Sequence, residues 1–149
     1  MTREGAFTLI ELMIVIAIVA IIAALAVPNL LEARKASNEA AAVSALRTIA
    51  TAQSLFREGD KDKNSTLDYA TSLDALATAA GVIDPVLQSG TKQGYLFSIN
   101  SATQFTFSAT ASPAVPGKSG DRYFYVDESG VIRYNTTGSP SSASAPIGG

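Results

Sequence analysis

The 149-residue chain contains neither cysteine nor histidine. The first absence removes disulfides, thiolate metal ligands and a nucleophilic thiol. The second removes Ser-His-Asp and Cys-His catalysis together with histidine zinc sites. Charge is sparse: Asp, Glu, Lys and Arg make up 16% of the residues, with a formal net charge of −2. No run of Lys or Arg occurs, so no nucleic-acid partner is expected. There is no G-x-x-x-x-G-K phosphate loop. Ser89-Gly90-Thr91-Lys92 spells S-x-x-K, but no S-D-N or K-T-G accompanies it and the chain is too short for a penicillin-binding fold. The chain therefore reads as non-enzymatic. Without disulfides, its folded part must be held by its core, by a metal or by neighbours in an assembly.

What the chain does have is one long apolar run, residues 7–27, interrupted only by Thr8 and Glu11. As a helix it spans about 32 Å, enough to cross a hydrocarbon core of about 30 Å. A cleaved secretory signal would have a shorter run followed by a small-residue cleavage site; here the run leads directly into a polar helix. Glu11 sets it apart from a plain anchor, because a carboxylate in a membrane helix is costly and usually has a partner. Upstream lie Arg3, Glu4, Gly5 and Ala6. A cut there would leave a new α-amine about one helical turn from Glu11, so stacked copies of the helix would pair one chain's amine with the next chain's carboxylate.

This leader, followed by Phe7-Thr8-Leu9-Ile10-Glu11-Leu12-Met13-Ile14-Val15 and Ala24-Leu25-Ala26-Val27-Pro28-Asn29, resembles the N-terminus of type IV pilins and type II secretion pseudopilins. The resemblance implies cleavage by prepilin peptidase and N-methylation at Gly5, Ala6 and Phe7. Placing the acidic residue fifth in the mature chain puts Ala6 before the cut and Phe7 first; a cut after Gly5 would make Glu11 sixth. It further implies storage as a single-pass inner-membrane protein with a cytoplasmic N-terminus, an inner-membrane assembly platform as partner, and a helical homo-oligomeric filament, periplasmic or extracellular, aligned through Glu11. The flanking charges do not fix orientation, since Arg3 lies on one side of the run and Arg34 and Lys35 on the other. Pilus and pseudopilus both fit. Membrane lipid is a further expected partner; the alternative is a membrane-anchored periplasmic binding module that forms no filament.

The rest of the chain divides by composition. Residues 1–6 are the leader, 7–28 the membrane or filament-core helix, 29–58 its amphipathic continuation, 59–135 a globular head and 136–149 a flexible tail. Pro28 is expected to kink or locally open the helix, because it has no N–H for the carbonyl of Ala24. In the amphipathic half, Ala36, Ala40, Val43, Leu46, Ala50 and Phe56 approximate a helical stripe, with Glu39 and Arg47 among the residues placed on the outside. Glu58-Gly59 ends the helix. In the following loop, Asp60, Asp62, Asn64 and Asp68 recur as in the first half of an EF-hand. That pattern suits calcium, although Ser65 replaces the central Gly and Thr71 the bidentate Glu; the other reading is a solvated turn. Ser72 caps a short helix over 73–80, and a second starts at 84–87. Alternation then predicts strands at 95–99, 105–109, 122–126 and 131–134. The expected fold is α+β: a long helix packed on a small antiparallel sheet of about four strands, a pilin-like layout.

Overall fold

The computed structural model describes residues 7–148. Its first element, α1, runs as one helix over Leu9–Glu58. The chain divides into two units between Arg34 and Lys35. Up to Arg34, every described residue is exposed, and this is where the apolar run lies. The helix continues through Pro28 without a break.

From Lys35 onward α1 is one wall of a closed core. Its buried residues are Glu39, Ala42, Ala45, Leu46, Ile49, Ala52, Gln53 and Phe56. Glu39, Ala42, Leu46, Ile49, Gln53 and Phe56 follow alternating steps of three and four, with Ala45 and Ala52 beside them, which keeps one face of the helix covered. Leu46 and Ile49 are wholly buried, and each contributes roughly 1.5–3 kcal/mol by leaving water. This face is rotated from the expected stripe, for Ala36 and Ala40 are exposed while Glu39 and Gln53 are buried. The cause is alanine on every side of the helix, which carries too little hydrophobicity to mark a face.

α1 ends in a Schellman turn: Lys61 N–H bonds Phe56 C=O at 3.2 Å, and Asp60 N–H bonds Arg57 C=O at 3.3 Å. The left-handed residue of this turn is Asp60, at φ +41°, rather than the expected Gly59. Next come α2 (Leu73–Ala75), which runs into a π-helical turn at Leu76–Ala80, and α3 (Pro85–Gln88). Ser72 caps α2, its hydroxyl accepting from Ala75 N at 3.1 Å. Asp84 caps α3, its carboxylate accepting from Leu87 N at 2.9 Å.

The sheet is an antiparallel meander in the order β1-β2-β3-β4-β5-β6. The strands are β1 (Thr91–Lys92), β2 (Tyr95–Ala102), β3 (Phe107–Pro113), β4 (Tyr123–Asp127), β5 (Arg133–Asn135) and β6 (Ala145–Pro146). Six strands replace the expected four because a two-residue strand is added at each edge. Tyr95, Phe97, Phe107, Ala109, Ala111, Phe124 and Val126 point into the core with Leu46, Ile49 and Phe56. Phe105, expected to face inward, is 71% exposed at the β2–β3 turn. The segment expected to be a flexible tail also has structure: Pro140 is buried, Ile147 packs on the core, and Ile147 N–H bonds Ile132 C=O at 2.9 Å. Short edges, one with Lys92 and the other with Pro146, present little free backbone to a stray strand.

The β3–β4 loop is clasped by the head end of α1. Glu39 Oε1 accepts from Asp121 N at 2.8 Å and Arg122 N at 3.2 Å, and its Oε2 accepts from Arg122 Nε at 2.7 Å. Next to it, Asn38 Nδ2 donates to Ser119 C=O at 2.9 Å, and one turn earlier Lys35 pairs with Asp121 at 3.2 Å. Gly120 has no side chain because the Tyr95 ring occupies that place; a Cβ would stand 2.7 Å from Tyr95 Cζ.

Candidate assembly site

The apolar helix begins with Thr8 at the N-cap and Glu11 three residues on. Glu11 N donates to Thr8 Oγ1 at 3.2 Å. In return, Glu11 Oε2 accepts from Thr8 N at 2.9 Å and from Thr8 Oγ1 at 2.8 Å. This is a capping box, T-x-x-E, placed where the helix dipole favours a negative charge. The T-x-x-E spacing is visible in the sequence, but it lies at the edge of an apolar run that reads first as a membrane span. Its effect is that one carboxylate oxygen, Oε2, is held inside the chain by Thr8. Glu11 Oε1 takes no hydrogen bond among the described residues and is open to a donor from elsewhere.

Around this polar point the surface is apolar and exposed. Phe7, Leu9, Ile10, Leu12 and Met13 are all more than half exposed. α1 is long and apolar enough to cross a membrane. Pro28 lies within the same exposed segment, and its missing N–H leaves the carbonyl of Ala24 without the usual helical donor. Gly5 and Ala6, the small pair of the cleavage reading, lie outside the described residues.

Residues 1–27 match the family described as the prokaryotic N-terminal methylation motif. The chain is 32% identical over 115 residues to the type IV wide pilus major component of Thermus thermophilus, a match that covers 77% of this chain and 88% of that one. The chain belongs to the type IV pilin family. It is also 47% identical over 71 residues to the type IV major pilin protein of Myxococcus xanthus, covering 48% of this chain and 31% of that one. For a pilin, the α+β layout, the apolar helix and the N-terminal motif agree with one another.

The second candidate site of this pilin, the 60–68 loop, is satisfied by its own groups. Asp60 carboxylate oxygens accept from Asn64 N and Ser65 N, both at 3.1 Å. Asn64 Nδ2 donates to Asp62 Oδ2 at 2.7 Å and to Asp68 Oδ2 at 3.4 Å. The amide thus stands where a cation would join the two carboxylates. Among the described residues, no group of three or more acidic side chains is gathered around a common metal position.

The titration shifts in the head follow from local contacts. The Lys92 ammonium, 2.7 Å away, and the Leu87 N–H hold the Asp84 carboxyl below its ordinary value. Burial, then the Glu39 charge, push the Tyr95 phenol far above its own. Burial and Asp127 raise Tyr125 likewise. None of these groups adjoins another in an arrangement suited to nucleophilic or acid–base chemistry.

Proposed function

We propose that this pilin is the structural subunit of a type IV pilus, cut by prepilin peptidase, held in the inner membrane by α1 and polymerised through that helix by an assembly platform. The observation that carries this reading is Glu11, one carboxylate at the head of a fully exposed apolar helix. A membrane anchor has no use for the charge. A neighbour whose processed α-amine approaches Glu11 Oε1 gives it one, and it aligns subunits along the axis. Thr8 supplies the carboxylate's other contacts and fixes where it points. Of the two filament types, the pilus is favoured because both relatives are named as major pilus proteins.

Replacing Glu11 with Leu tests the reading directly. The variant is expected to enter the membrane normally and to be absent from filaments. Mass spectrometry of wild-type filaments should give a chain starting at methylated Phe7. Normal filaments from Glu11→Leu would overturn the alignment role, and wild-type cells with this protein in the membrane but no filament would favour the anchored binding module.

A further inference from the structure

Resting on the filament reading, we propose that the acidic segment 58–68 of one subunit docks into a groove at Arg47 on the head of a second copy. The groove is lined by Arg47, Ala50, Thr51 and Ser54 of α1 and by Gly130 of the β4–β5 loop. Its floor is low. Nothing stands within 4 Å of where a Cβ on Gly130 would be. Thr51 and Ser54 turn their hydroxyls back to the carbonyls of Arg47 and Ala50, at 3.0 and 3.3 Å. Arg47 itself is exposed and forms no ion pair among the described residues.

The complement is on the same chain. Residues 58–68 hold Glu58, Asp60, Asp62 and Asp68 against Lys61 and Lys63, four acids less two lysines, for a net −2. None of the four acids forms an ion pair among the described residues. Beside Asp68 stands Leu67, an apolar side chain 49% exposed, of a size to cover the Ala50 and Gly130 floor. The Asp60 and Asn64 hydrogen bonds hold the segment in one shape, so docking costs little loop ordering. Groove and knob are different patches, so their contact is heterologous and propagates rather than closing on itself. Arg47 and Asp60 are thirteen residues apart, about 20 Å along a helix axis. A parallel copy offset by that amount, a different neighbour from the one whose α-amine meets Glu11, brings its groove level with this loop. This gives the acidic loop a partner other than a cation.

The natural lack of cysteine makes the test clean. Full-length chains carrying both Thr51→Cys and Leu67→Cys, which leave Arg47 and the four acids in place, oxidised as filaments and run under denaturing, non-reducing conditions, should give a ladder of multimers; either single variant should run as a monomer. Filaments that form but give no ladder overturn the docking. Wild-type cells that make no filaments overturn the filament reading instead. Should the double variant not assemble, wild-type filaments doped with both single variants carry the same test: a disulfide-linked dimer is expected, and filaments containing both variants without it refute the proposal.

Discussion

Glu39 on α1 receives both the backbone N–H and the guanidinium of Arg122, 83 residues along the chain, through its two carboxylate oxygens. The pair ties the helix to the β3–β4 loop at a point that is 7% exposed on the Glu39 side. The Arg122 guanidinium also lies 5.5 Å above the Phe124 ring and 5.4 Å from that of Tyr134. The position of the helix on the sheet therefore depends on a charged side chain in a face whose other buried residues, Gln53 apart, are apolar.

Removing that carboxylate leaves two backbone donors and one guanidinium short of an acceptor, and an unpaired buried donor costs about 1–3 kcal/mol. In a soluble domain starting near Lys35, Glu39→Ala should lower stability by about 2–4 kcal/mol. Glu39→Gln should lose less, since the amide oxygen still accepts one backbone bond. Urea unfolding of the three proteins measures it, and an unchanged midpoint for Glu39→Ala would remove the clasp from the stability argument.

Gln53 performs the same task at the other end of the core. It is wholly buried, and its amide pairs with both backbone groups of Ala70: Ala70 N donates to Oε1 at 2.8 Å and Nε2 donates to Ala70 C=O at 2.9 Å. Gln53→Leu fills the same space but orphans both groups, for a loss of about 2–5 kcal/mol. Gln53→Glu sets a carboxylate against that carbonyl. Its folded pKa should be raised, so its stability should be best below about pH 4 and fall as pH rises through the folded value. Denaturant midpoints at pH 4 and pH 7 separate these cases.

Glu39 and Gln53 also mark the limit of what local sequence pattern encodes. The inner face of β2 and part of β3 are legible in the alternation at 95–99 and 107–109, where Tyr95, Phe97 and Phe107 are large and face inward and Ser98 and Ser108 are polar and face outward, although Leu96 faces outward and Ala109 inward. The Ser72 cap and the helix start at 84–87 are legible because such signals are local. The α1 face was not legible, since its burial is fixed by what Glu39 and Gln53 meet at Arg122 and Ala70, contacts far away in the chain. The edge strands and the fastened tail are equally non-local: nothing in 140–147 shows that Ile132 lies opposite. At the N-terminus, the T-x-x-E spacing is local and legible, but the apolar run around it is the stronger pattern.

Asp84 and Tyr95 give the head a stability plateau with opposite limbs. The Asp84 folded pKa is depressed, so its contribution is present above about pH 4 and is lost as pH falls through the lower folded value. Asn preserves the cap without the charge. Wild type should therefore melt above Asp84→Asn at pH 7, and the two should converge in acid. The Tyr95 pKa is raised, so its contribution is intact below about pH 10 and is lost as pH rises towards the folded value. Tyr95→Phe should weaken the alkaline decline, at the expense of the hydrogen bond to Arg122 C=O. Thermal melts of the three proteins from pH 3 to pH 11 test both limbs, and parallel curves for wild type and Tyr95→Phe above pH 10 would contradict the second.

Calcium at the 60–68 loop must compete with Asn64. Its side-chain amide already joins Asp62 to Asp68, and Asp60 is engaged by two backbone N–H groups. A cation binding only the folded state stabilises it by mass action, but here it must first displace those donors. Wild-type domain is expected to melt within about one degree in millimolar calcium and in chelator, since 1 kcal/mol corresponds to roughly 4–8 °C in a domain of 60–100 residues. Asn64→Asp removes the competing amide and adds a fourth carboxylate. That variant should be less stable than wild type in chelator and should gain several degrees when calcium is added. A comparable gain in wild type would assign the loop to calcium, with Asn64 as a ligand through its oxygen.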